Sequence, residues 1–194
     1  MNSRSNILKK IAENKPASES LPVLRFDDTI HYADKQAQFI TALQNVAAEV
    51  LEISGYAAIN TLYKNLQAAG KKIINTIPEI DDLNNQLPSL SAENLAGVEI
   101  AFIKGLVAVA ENGAVWVTEE QMQNRLLPFI CEHLYLVIER ENIVDTMHQA
   151  YQKIDTASSG FGVFIAGPSK TADIEQSLVI GAHGPKKTTI IIIN

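Results

Sequence analysis

The sequence holds a single cysteine, Cys131, in 194 residues. One thiol supports neither an internal disulfide framework nor a thiolate metal site. An iron–sulfur cluster, which normally takes four thiolates, is excluded as an internal cofactor. Long apolar runs are also missing: none approaches the roughly 20 residues of a membrane-spanning helix. The N-terminal MNSRSNILKK has no apolar core of signal-peptide length, so the cytoplasm is the expected compartment. Basic residues are outnumbered, 16 Lys plus Arg against 22 Asp plus Glu, for a net charge of −6. The pairs Lys9-Lys10, Lys71-Lys72 and Lys186-Lys187 are too short for the basic stripe that a phosphate backbone requires, and nucleic acid is not an expected partner. No Gly-x-Gly-x-x-Gly dinucleotide fingerprint occurs.

What remains is an ordinary globular composition, 46% apolar and 20% charged, at a length that favours one domain with a small appendage. Residues 1–33 form an N-terminal extension with a short amphipathic helix around Ile7, Leu8 and Ile11. The domain then runs over 34–194. Asp34 is a plausible N-cap for a helix carrying Ile40, Leu43, Val46, Ala47, Val50 and Leu51 at helical spacing. A second helix runs from about Ala57 to Gly70, which stands where a left-handed C-terminal cap belongs, and Lys71 to Ile77 reads as a strand. A long polar connection over 78–97, with one helical turn near Ala92 to Leu95, has the length of a functional loop.

From Val98 the chain becomes strand-rich. Val98 to Ile103 and Ala114 to Thr118 are apolar runs, with Ala110-Glu111-Asn112-Gly113 between them, and Asn-Gly is a tight-turn signal. Glu119 to Leu127 is helical in composition until Pro128. His133 to Ile138 is a continuous apolar strand, followed by a helix with Ile143, Met147, Ala150 and Ile154. Buried strands between helices predict an α/β domain of three layers, α/β/α, around a central parallel or mixed sheet.

At the C-terminal end Phe161 to Ala166 reads as a strand and Gly167 to Thr171 as a turn. Asp173 would cap a helix ended by Gly181 and Gly184-Pro185, and Thr188 to Ile193 is a last strand. Read as a βαβ unit, this sets the turn at the carboxyl end of a strand, where open α/β sheets bind ligands. Gly167 permits close backbone approach, and Ser169, Lys170 and Thr171 offer donors for an anion. Asp173 and Glu175 oppose an anion there and serve the helix dipole themselves. A well-capped helix and a ligand loop are both consistent with these residues.

The stretch GPSKTADIEQSLVIGAHGPKK resembles the C-terminal signature of the lactate utilisation (LUD) domain, the lactate utilisation protein C family, and the looser resemblance extends over 34–194. The resemblance implies the layered fold shared with ribose-5-phosphate isomerase, glucosamine-6-phosphate deaminase and the CoA transferases. It also implies a part in oxidising L-lactate to pyruvate beside cysteine-rich oxidoreductase and iron–sulfur partner proteins, which would hold the clusters this chain cannot. The family's A-E-[TS]-G appears here with Asn112 in the third place. That change brings it nearer the S-E-N-G of CoA transferases, whose Glu forms an acyl intermediate.

The candidate ligand-binding residues are Gly113, Gly167, Pro168, Ser169, Lys170, Thr171, Asp173, Glu175 and Gly184. Glu111 and His183 are the candidate catalytic groups, the latter as acid, base or anion donor or simply as a turn-closing hydrogen bond. His133 reads as a strand-end or core histidine, and no metal is expected. Three functions follow: a non-redox component of lactate oxidation that binds a small anion or a partner, a stand-alone transferase or isomerase using Glu111, or a scaffold without small-molecule chemistry.

Overall fold

The computed structural model of the protein describes residues 3–20, 29–80, 92–155, 160–170, 179–181 and 183–194. Helices α1 (Ser3–Glu13) and α2 (Lys35–Asn45) lead into strand β1 (Glu49–Ile53), helix α3 (Tyr56–Ala68) and strand β2 (Ile73–Asn75). The short helix α4 (Ala92–Leu95) precedes β3 (Ile100–Lys104), β4 (Val107–Val109) and β5 (Val115–Thr118). Then come α5 (Glu119–Met122), α6 (Leu127–Ile130), β6 (His133–Glu139), β7 (Ile143–Val144), α7 (Met147–Lys153), β8 (Gly162–Ile165) and β9 (Lys187–Ile193).

Asp34 caps α2 as its spacing predicts, its carboxylate accepting the Ala37 N–H at 3.0 Å. The helix ends earlier than expected. Ala47 turns left-handed at φ 60°, with Ala48 N–H on the Leu43 carbonyl (2.9 Å) and Ala47 N–H on that of Gln44 (3.0 Å). This is a Schellman closure built on alanine. Val50 and Leu51 therefore belong to β1, not to the helix. Similarly, Ile143 lies in β7, and α7 starts only after Thr146, whose side chain accepts the Gln149 N–H. Pro128 sits in the first turn of α6 rather than ending a longer helix, a position that needs no N–H.

Five strands form a parallel sheet in the order β1-β9-β6-β3-β2. Its strands alternate between two cores. Ala101, Ile103, Leu134, Leu136, Ile138, Ile190 and Ile192 pack against Phe39 and Leu43 of α2, Met122 of α5 and Leu127 of α6. Ile100, Phe102, Tyr135, Val137 and Ile191 face Ile59 and Tyr63 of α3. Helices on both faces explain why these strands read as unbroken apolar runs, and the α/β layering is as expected.

A second sheet, β7-β4-β5-β8, packs on the α2 side through Ala108, Val115, Val117 and Ile143, and its outer face is covered by Ala150 of α7. Here the expected βαβ unit fails. β8 pairs antiparallel with β5 in this second sheet, while β9 lies between β1 and β6 in the first. The predicted helix after Asp173 falls largely on residues outside the described ones. At Ile180 the backbone forms an antiparallel bridge with Lys170.

Candidate functional site

The two signature turns meet on one helix. The β4–β5 hairpin closes with Gly113 N–H on the Val109 carbonyl (2.9 Å) and Asn112 Oδ1 accepting the Ala114 N–H (3.0 Å). β5 and β8 pair Val115 with Ile165, so continuing the register by two residues sets Gly113 opposite Gly167. Both glycines are left-handed and both lie against the C-terminal half of α2. A Cβ on Gly113 would stand 3.3 Å from Leu43 N, and one on Gly167 2.5 Å from Val46 O.

Pro168 is buried and Ser169 half-buried. Ser169 N–H donates to the Pro185 carbonyl (3.0 Å), and its own carbonyl accepts the Gly181 N–H (2.9 Å). Gly184 rests so closely on Ser169 that a Cβ there would lie 3.0 Å from the serine Cβ. His183 is exposed. Thr171, Asp173 and Glu175 lie outside the described residues. Lys186 N–H bonds the Glu132 carbonyl (2.8 Å), and both residues immediately precede β9 and β6. The turn cluster therefore occupies the amino-terminal edge of the parallel sheet, not the carboxyl edge where the βαβ reading set it. The cause is topological: β8 is in the other sheet, and the chain must return to the amino edge to enter β9 parallel to β6.

Lys170 is occupied. Its ammonium donates to Val46 O at 2.6 Å, at the carbonyl-rich end of α2, and burial pulls its pKa down. A cation at a helix C-terminus contributes about 0.3–1 kcal/mol. Lys170→Met should lower the unfolding free energy by about that amount, read by urea denaturation; no change would show the contact to be idle.

Glu111 is exposed, and its carboxylate accepts the N–H of Met147, the first residue of α7, at 3.0 Å. Its own N–H donates to the Asp145 carbonyl (3.0 Å). Glu111 thus binds the β7–α7 junction; no described contact joins it to Ser169 or His183. His133 bonds Thr189 Oγ1 at 2.8 Å and stacks on Tyr135. Burial, helped by the Lys187 charge, pushes its pKa down to about 4, the signature of a neutral structural imidazole. Cys131 is 1% exposed, and burial pushes its thiol up to about 12, so it is no thiolate nucleophile.

Two clusters escaped the sequence reading. At the carboxyl edge of the parallel sheet, Lys104 meets Glu139 at 2.9 Å and Glu79 at 3.5 Å, and Tyr56 donates to Glu139 at 3.2 Å. Burial would lower the Lys104 pKa, but the bonds to Tyr56 and Glu139 raise it, and the lysine stays charged. Elsewhere Asp145 joins His31 and Tyr32. The only local hint was the Asp145-Thr146 pair heading a helix. Among the described residues no group of three or more His, Cys, Asp or Glu is arranged to hold a metal, and no helix is long and apolar enough to cross a membrane.

A parallel sheet layered between helices, joined by a second sheet whose glycine turns rest on α2, defines a two-sheet α/β domain. A crystal structure of a DUF162 family protein from Deinococcus radiodurans has the same fold, with a TM-score of 0.59 at 18% identity over 85% of this chain and 99% of that one. The LUD domain family matches residues 91–193, and the chain belongs to that family. A lactate utilization protein C of Geobacillus kaustophilus is 32% identical over 55% of this chain and 48% of its own length. Its counterpart in Oceanobacillus iheyensis is 28% identical over 68% and 60%, and that of Anoxybacillus flavithermus 38% over 45% and 40%. The matches thus span between two- and three-fifths of these relatives.

Proposed function

We propose that the chain is a non-redox component of a cytoplasmic system that oxidises L-lactate to pyruvate, binding a small anion or a partner and relying on separate iron–sulfur proteins for the redox step. The observation that carries this reading is the match to relatives named lactate utilization protein C, beside a LUD domain match over residues 91–193 that includes both signature turns. The cysteine count agrees with it: one buried thiol offers no site for a cluster.

The test is genetic and biochemical. A strain lacking the gene should fail to grow on L-lactate as carbon source while growing on pyruvate, and the purified chain should turn lactate over only when iron–sulfur partners are added. Undiminished lactate growth would overturn the reading. The rival acyl-transfer reading requires an adduct on Glu111. That carboxylate is solvent-exposed, which favours attack, but it already caps α7. Mass spectrometry after incubation with acyl-CoA thioesters separates the two, an unmodified Glu111 excluding the transferase.

A further inference from the structure

No residue of α1 is buried, although the helix carries three large apolar side chains. Ile7, Leu8 and Ile11 are 56%, 54% and 60% exposed. At about 3.6 residues per turn, positions i, i+1 and i+4 fall on one side of a helix, so the three form a stripe. Lys9, Lys10 and Glu13 lie on the other side, with Lys9 meeting Glu13 at 3.8 Å. An 11-residue helix is marginal in water by itself and takes its stability from burying an apolar face. Nothing in the described fold buries this one.

Residues 3–15 carry four basic side chains, Arg4, Lys9, Lys10 and Lys15, against one acidic, Glu13. The rest of the chain has the opposite balance, 12 basic residues against 21 acidic. Helix α1 is thus a cationic element on an anionic protein. The chain's own acidic surface is tethered to it and still buries none of it. A second copy would offer that same surface at a lower effective concentration. The helix therefore fits a partner that presents negative charge and an apolar layer together. A bilayer containing anionic lipid does both, its headgroups meeting the lysines while the stripe enters the acyl boundary. Arg4 stands one turn before the stripe and on its side, where a long side chain still reaches the headgroups.

We propose that α1 is a reversible anchor lying in the surface of an anionic membrane, with Ile7, Leu8 and Ile11 inward and Lys9 and Lys10 at the headgroups. Residues 15–20 follow it, exposed and without regular structure, so seating the helix disturbs neither core. No described helix is long and apolar enough to span, and three apolar residues with a few charges hold weakly, which makes the attachment reversible. The inference is independent of the lactate reading: α1 lies outside residues 91–193, and vesicle binding needs no turnover.

Sedimentation of the full chain with lipid vesicles tests the assignment. The protein should bind vesicles of phosphatidylcholine mixed equally with phosphatidylglycerol, and bind pure phosphatidylcholine at least roughly tenfold more weakly. Salt at about 1 M, where the screening length shrinks to about 3 Å, should bring the first level down to the second. Lys9→Gln with Lys10→Gln should weaken binding to the anionic vesicles by roughly thirtyfold, each lysine near such a surface contributing a factor of about five. Ile7→Ser with Ile11→Ser should weaken it by roughly tenfold through the lost apolar burial. All four side chains are exposed, and unchanged thermal melts would establish that both variants fold. The proposal is overturned if the parent ignores anionic vesicles, if it binds both lipids alike, or if either double variant binds as the parent does. It is overturned equally if the parent stays off vesicles and light scattering shows a dimer that Ile7→Ser with Ile11→Ser breaks. The helix would then seat on a second copy.

Discussion

Gly167→Ala should destabilise the protein by about 3 kcal/mol, the sum of a left-handed non-glycine residue at about 1–2 kcal/mol and local overpacking at about 1–3 kcal/mol. Gly167 has φ 73°, and an added Cβ would lie 2.5 Å from Val46 O and 3.1 Å from Val46 Cγ2. The carbonyl cannot retreat cheaply, because it ends α2 and accepts the Lys170 ammonium. Gly113 is the matched comparison. It has the same hand, but its nearest neighbours would be 3.3 Å away, so Gly113→Ala should cost only about 1–2 kcal/mol. Urea unfolding followed by the fluorescence of Trp116, the sole tryptophan and a β5 residue paired with β8, reads both. A Gly167→Ala protein within 1 kcal/mol of the parent would mean that α2 and β8 are not closely docked. The expected result would give this signature glycine a packing role: it lets a strand end reach a helix end.

That contact illustrates what local sequence carries and what it does not. Asp34, the Asn-Gly turn and the left-handed Gly70 were legible because capping and turn chemistry act within a few residues. The end of α2 was not. Its Schellman closure uses Ala47 where glycine is the usual signal, and Val50 and Leu51 happen to continue the helical spacing. Sheet membership was hidden for another reason. Residues 162–165 and 187–193 are both apolar runs, and nothing within either says that one joins β5 and the other inserts between β1 and β6. Choosing the wrong sheet for β8 moved the signature turn from the amino edge to the carboxyl edge, although the turn itself had been correctly located in the chain. The register that sets Gly113 opposite Gly167 was hidden for the same reason, since it follows only once β8 is placed beside β5. His31 and Asp145 are 114 residues apart, and no periodicity or spacing connects them.

Asp145→Ala should cost about 2–3 kcal/mol, because it strips an ionised acceptor from three donors and leaves the Tyr32 N–H without its partner. The loss should depend on pH with a definite sign. The folded-state pKa lies below the ordinary value near 3.8, so the carboxylate's contribution is fully present above that value. It disappears as pH falls from about 3.8 through the lower folded value, once the folded protein takes up the proton. Parent and variant should therefore differ most at neutral pH and converge in acid, in unfolding free energies measured from pH 7 downward. A difference that stays constant to the acid limit would show that Asp145 acts through shape and not charge. Asp145→Asn refines the point, since it keeps the volume and one acceptor oxygen while removing the charge. Amide exchange locates the loss. Opening the contact should release the Tyr32 N–H first and leave amides of β6, whose side chains lie in both cores, at parent rates. Uniform acceleration would instead make Asp145 part of the global core, and His31 would then owe its position to the whole fold and not to this acid.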